Sequence, residues 1–296
     1  MESVGTMRKH FVALAVVLAV LIFSPLLRSQ TATPASPPPP DRGVDGWGRR
    51  ITAPDSKLSP APRRDISGIW DPPYLSGNQV LGAREFPEDG KPGHQLPYTP
   101  AGLEALKRTK PTNGTRSVLA QETNDPVLAY GDPQGIPRED LFELRTVQVL
   151  QTPQSVVLLY QFGKIWRVIW TDGREVPKDA EPRWFGYSVG KWVDDYTFVV
   201  QTTGLDERTW IDRAGRPHSA DLRVEERFHR RDRDHLELSV TIDDPKMYTK
   251  PWVAVDKLVF EQQPPSFDVR EMIWSQSENE EYNKLIGNTP DDKESH

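Results

Sequence analysis

From residue 141 onward, apolar and polar positions alternate in short runs separated by turn residues. The runs are "LFELRTVQVL", "SVVLLYQF", "KIWRVIWT", "YTFVVQTT", "LRVEERFH", "HLELSVTI", "WVAVDKLVF" and "DVREMIWS". Each has strand length and is rich in Val, Ile, Thr or aromatic residues, which fit a pleated, half-buried surface. "GYSVGKW" reads as a further strand kinked at its glycines, with "YTFVVQTT" pairing back across Val193, Asp194 and Asp195. The joints "TPQ", "FGK", "TDGR" and "RRDRD" carry turn chemistry. Short joints predict an antiparallel meander, because parallel neighbours need a long crossover. With "DISGIW" at 65–70, the pattern predicts an all-β fold of about 8–10 strands closing into a lipocalin-like barrel, which leaves no exposed edge. A β-sandwich is the alternative.

Residues 71–140 are broken up by proline and glycine, and the pattern there predicts one short helix near residues 100–109. Thr99 suits the N-cap, Pro100 the first helical position, and Pro111 sets the stop. "NDPVLAYGDPQGIPRED" reads as ordered loop. Residues 30–64, with four consecutive prolines, cannot build a core and read as a disordered, proline-rich linker. A single barrel domain is therefore expected over 65–286, followed by a disordered tail at 287–296.

The first residues change the setting. Arg8, Lys9 and His10 precede the apolar run 11–23, a basic region followed by a short apolar one, as in a secretory signal peptide. Cleavage after Ser29 would remove 1–29, whereas an uncleaved segment 11–27 would serve as an anchor. Both readings place the domain in the periplasm or outside the cell, with membrane contact only through this segment. An outer-membrane barrel is disfavoured because Arg223, Glu225, Arg227 and His229 share one strand face, which could not meet lipid.

Composition removes whole classes of chemistry. The net charge is −6 with both signs interspersed, so there is no basic stripe for nucleic acid. The chain has no cysteine, which excludes disulfides, thiolate metal sites and thiol nucleophiles. No histidines stand at metal-ligand spacing, and no phosphate loop or dinucleotide fingerprint occurs, so neither metal nor cofactor is expected.

What remains is a set of side chains on unexpected faces. Leu222, Val224 and Phe228 share a face with Glu226, and a carboxylate there costs several kcal/mol unless it is paired or neutralised. Arg167, between Ile165 and Ile169, and Arg270, beside Met272 and Trp274, are its candidate partners. A buried salt bridge between strands is one reading of this group, and a ligand or catalytic site is the other. His218, after a Gly-Arg-Pro loop at a strand mouth, is the candidate proton carrier. Trp184, Trp192 and Trp210 are either plugs at strand ends or walls of a pocket.

The succession "RVIWTDGREVP", "WFGYSVGKW", "HSADLRVEERF" and "DDPKMYTKPW" resembles a family of exported, β-rich bacterial proteins over roughly residues 65–285. The resemblance implies an extracytoplasmic location and a β-rich fold, and it transfers no catalytic residue. Tyr130 stands where many relatives are expected to carry a cysteine, so no thiol-dependent role carries over. The leading expectation is an exported soluble barrel that binds a small, largely apolar or aromatic molecule. The alternatives are a cofactor-independent acid/base enzyme using Glu226 and His218, and an interaction module of the cell envelope. Ligand identity and oligomeric state are not written in the residues.

Overall fold

The predicted alternation is carried out by nine strands in the computed structural model, which describes residues 60–72, 86, 88, 90–142, 144–273 and 275–285. The strands are β1 (Gly68–Asp71), β2 (Val147–Gln151), β3 (Ser155–Tyr160), β4 (Trp166–Trp170), β5 (Tyr187–Trp192), β6 (Thr197–Thr203), β7 (Arg223–Arg230), β8 (His235–Asp243) and β9 (Trp252–Gln263). Each pairs with the next, and β9 returns to β1, so the sheet is a closed barrel. β8 shows the underlying pattern: Leu236, Leu238, Val240 and Ile242 are buried while the residues between them are half-buried. The interior face of the barrel is the core of the protein. The expected signal or anchor, most of the linker and the tail lie outside the described residues, as does Trp274.

Three expectations need correction. The meander is not wholly antiparallel: β4 and β5 pair in parallel, with Ile169 opposite Ser188 and Trp170 opposite Val189. The "TDGR" joint is only the start of a crossover through residues 171–186, long enough for parallel pairing. "DVREMIWS" is no barrel strand. With β9 hydrogen-bonded to β1 the ring has no open edge left for it, and it makes one isolated bridge, Phe162 to Met272. The run at 141–150 begins its strand only at Val147, because Arg138–Leu141 is helical.

The short helix appears where its caps put it. Helix α1 (Pro100–Arg108) starts at Thr99, whose hydroxyl accepts from the Gly102 amide at 3.0 Å. Two further turns occupy the stretch expected to be loop, α2 (Pro126–Tyr130) and α3 (Arg138–Leu141). Asp125 caps α2, accepting from Val127 N at 3.0 Å, and both its carboxylate oxygens accept from Arg138 at 2.8 Å. That buried bidentate pair ties α3 to α2, with the Arg138 guanidinium also near the rings of Phe142 and Trp210. Helix α4 (Gln276–Leu285) ends the described chain.

Candidate functional site

Four neighbouring strands build a polar floor inside the barrel. Glu226 on β7 is 0 % exposed, on the inward face shared with Val224 and Phe228. Arg167 on β4 meets it as a fork: Nη1 donates to Oε1 at 2.7 Å and Nη2 donates to Oε2. The same guanidinium donates to Thr202 Oγ1 on β6 at 2.7 Å and to Ser188 Oγ on β5 at 3.1 Å. Ser188 and Thr202 sit opposite each other in register and their hydroxyls are 3.0 Å apart. Burial would lower the pKa of Arg167, but the facing Glu226 charge outweighs this and raises it. The expected buried carboxylate–arginine pair is therefore present, with Arg167 as the partner.

Above this floor stands a second carboxyl that the strand pattern could not reveal. Asp140 on α3 is 2 % exposed and lies within hydrogen-bonding range of Glu226. Tyr160 on β3 donates to its Oδ1 at 3.2 Å, while Oδ2 takes no hydrogen bond from any described donor of the chain. Burial, reinforced by the Glu226 charge, holds the Asp140 pKa well above the usual carboxylate range, which favours its protonated form. Burial, followed by the Asp140 carboxyl, likewise pushes the Tyr160 phenol up. Beside Asp140 and Tyr160 the core leaves a gap of about 10 Å³, room for one water. Its remaining wall is apolar, including Trp70, Leu144, Leu158 and Phe228.

The other candidates fall elsewhere. Arg270 is exposed rather than inward, and its carbonyl accepts from Gln161 Nε2 at 3.3 Å. His218 is buried in the loop between β6 and β7, its Nε2 2.6 Å from Thr209 Oγ1 and its Nδ1 3.0 Å from the Ser219 carbonyl. Burial lowers its pKa, so it is neutral there, and it shares no hydrogen-bond partner with Glu226. The tryptophans do not form one wall. Trp184 lies under the Arg208 guanidinium at 4.4 Å, Trp192 packs on Phe198 at 5.3 Å, and Trp210 lies near Arg138. Among the described residues no group of three or more His, Asp or Glu is placed to hold a metal ion.

The outer face of β2–β4 has its own character. Leu150, Val157 and Val168 lie in register across three strands, next to Leu159 and Trp166, which is 69 % exposed. The Arg174 guanidinium covers the neighbouring Trp170 ring at 3.9 Å. Exposed apolar area of this kind is what an interaction module would present.

Compared with protein-family models, with curated proteins and with solved structures, the chain has no match.

Sequence alternation alone could have added three residues to the site. Tyr160, Ser188 and Thr202 each share a strand face with buried apolar neighbours, as Glu226 and Arg167 do. Asp140 had no such signal, because its placement depends on the Asp125–Arg138 pair.

Proposed function

We propose that the chain is a lipocalin-like binding barrel, exported as its first residues imply, for a small molecule with an apolar body and one polar end. The observation that supports this is the surroundings of Asp140. A fully buried carboxyl, within hydrogen-bonding range of Tyr160 and Glu226, stands at one side of a gap whose remaining wall is apolar. Such a group is costly to bury, and a ligand whose polar end engaged it would offset that cost. The gap has room for one water at most, so a ligand has to widen it. Leu144, half-buried on the irregular segment between α3 and β2, is the wall residue with least sheet support.

The acid/base reading is less well supported. Glu226 is engaged on both oxygens by Arg167, and His218 is held in a separate loop. Screening by thermal shift and native mass spectrometry against short aliphatic and aromatic alcohols, acids, amides and amines tests the proposal. Leu144→Ala should bind the same compounds more tightly by opening the wall. If neither the wild-type protein nor Leu144→Ala retained any compound, the interior would be a core and nothing more.

A further inference from the structure

The wall of the barrel has two unlike sides. Of the eight outward positions on β2–β4, six are apolar and the other two are Gln148 and Ser155, so none carries a charge. Half a turn round the ring, β7 and β8 point Arg223, Glu225, Arg227, His229, Glu237 and Asp243 outward. The uncharged side is open to solvent, with Leu150 at 44 % and Trp166 at 69 % exposure. Leu150, Val157 and Val168 stand in one cross-strand row, and Leu159 and Trp166 in the next. Cations stand at both ends of β4, but both are engaged. Lys164 Nζ donates to the Val269 carbonyl at 2.8 Å, and the Arg174 guanidinium is forked onto Asp172. This side is built for an uncharged contact.

We infer that this side rests on a lipid surface, with the Trp166 ring sunk to the level of the headgroups. Its size tells against a second copy of the chain. Three strands about 4.8 Å apart, five residues long at about 3.3 Å each, make roughly 240 Å² of wall. Even doubled for side-chain relief, that falls short of the about 800 Å² per partner that stable protein–protein contacts bury. The wall of a closed barrel also curves away on both sides, so a rigid partner gains little beyond it. A fluid surface needs no matching shape and closes around a projecting ring. The chemistry tells against a sugar. Leu150, Val157, Leu159 and Val168 offer neither ring faces nor hydrogen bonds to hydroxyls, and the Trp170 ring already carries the Arg174 guanidinium at 3.9 Å. Aliphatic side chains bordered by an exposed tryptophan match the boundary between acyl chains and headgroups. The charged side of β7 and β8 could not enter lipid, so the barrel lies on the surface and does not span it. This contact is separate from the apolar run 11–23 and needs no ligand in the interior.

The test is flotation with phosphatidylcholine vesicles of the chain from Gln30 onward, which keeps every described residue and omits the apolar run. It should bind equally with and without phosphatidylglycerol, and equally at low salt and at about 0.5 M, because no charge is engaged. Trp166→Ser should weaken partition by about tenfold or more, with an unchanged melting temperature because the ring is exposed. Leu150→Ser should weaken it as well. Val253→Ser should not, although Val253 on β9 is also apolar and 42 % exposed. In the full-length chain, lipid brominated near the headgroup should quench tryptophan emission, and quench it less in Trp166→Ser. Absence of flotation, binding confined to anionic vesicles, or Trp166→Ser floating as well as wild type would overturn the inference. So would a Trp166-dependent dimer in sedimentation velocity without vesicle binding, which would make this face a contact between copies.

Discussion

Glu226 and Arg167 show how much one alternating strand can disclose about a single side chain. The period of two put Glu226 inside from "LRVEERFH" and Arg167 inside from "KIWRVIWT", and the structure joins them. Removing one partner leaves the other as a buried, uncompensated charge. Glu226→Ala should therefore cost about 3–5 kcal/mol in urea unfolding. Glu226→Gln should cost less, since it keeps the shape and part of the bonding to Arg167. A Glu226→Ala protein as stable as wild type would show that the fork carries no weight. Asp140 gives a prediction of opposite sign. Its folded pKa lies above its unfolded value, so the folded state keeps a proton that the unfolded chain sheds. Stability is thus lost as pH rises above the ordinary carboxylate range, until the folded pKa is reached. Asp140→Asn does not titrate, and its advantage over wild type should grow by about 1.4 kcal/mol per pH unit across that window and vanish at acid pH. Urea midpoints for both proteins from acid to neutral pH check this; equal slopes would mean that Asp140 is charged in the fold. Arg270 shows the limit of alternation, which assigns a face only if the segment is a strand at all.

Among the elements, strands were legible and their order mostly so, because apolar alternation and turn residues are local signals. The parallel β4–β5 pair and the exclusion of 268–275 depend on which edges remain open, a property of the completed sheet. The two turns α2 and α3 are too short to show helical periodicity and are fixed by one long-range ion pair. Asp125→Ala would strip the cap from α2 and leave Arg138 buried without an anion, at a cost of about 3–5 kcal/mol. Hydrogen exchange should then accelerate over 126–142 before it does in the barrel strands. Unchanged exchange there would show that α3 is held by its apolar contacts instead. Gly190 on β5 tests the packing of the sheet. A Cβ there would lie 2.2 Å from the Phe198 ring, so Gly190→Ala should overpack the core by about 1–3 kcal/mol in thermal or urea unfolding.

At the scale of the whole molecule, closure rests on a strand of four residues. β1 spans Gly68–Asp71 and pairs with β2 on one side and β9 on the other, while Ile66 and Trp70 are buried to 0 % and 1 % exposure. Every other neighbouring pair of strands comes from residues 147–263, so the wall is nearly complete before this segment is added. The barrel can be regarded as an eight-strand receptor with its own N-terminal segment as the ninth, bound in cis. A chain beginning after β1 should behave as an unsatisfied β-acceptor, prone to self-association through the edges of β2 and β9. A synthetic peptide covering residues 60–72 should restore it to a monomeric, cooperatively melting form, because backbone ladders and the Trp70 side chain supply most of what the peptide has to offer. Replacing Trp70 by Ala in that peptide should abolish the rescue, which turns closure of this fold into a binding constant measurable by titration.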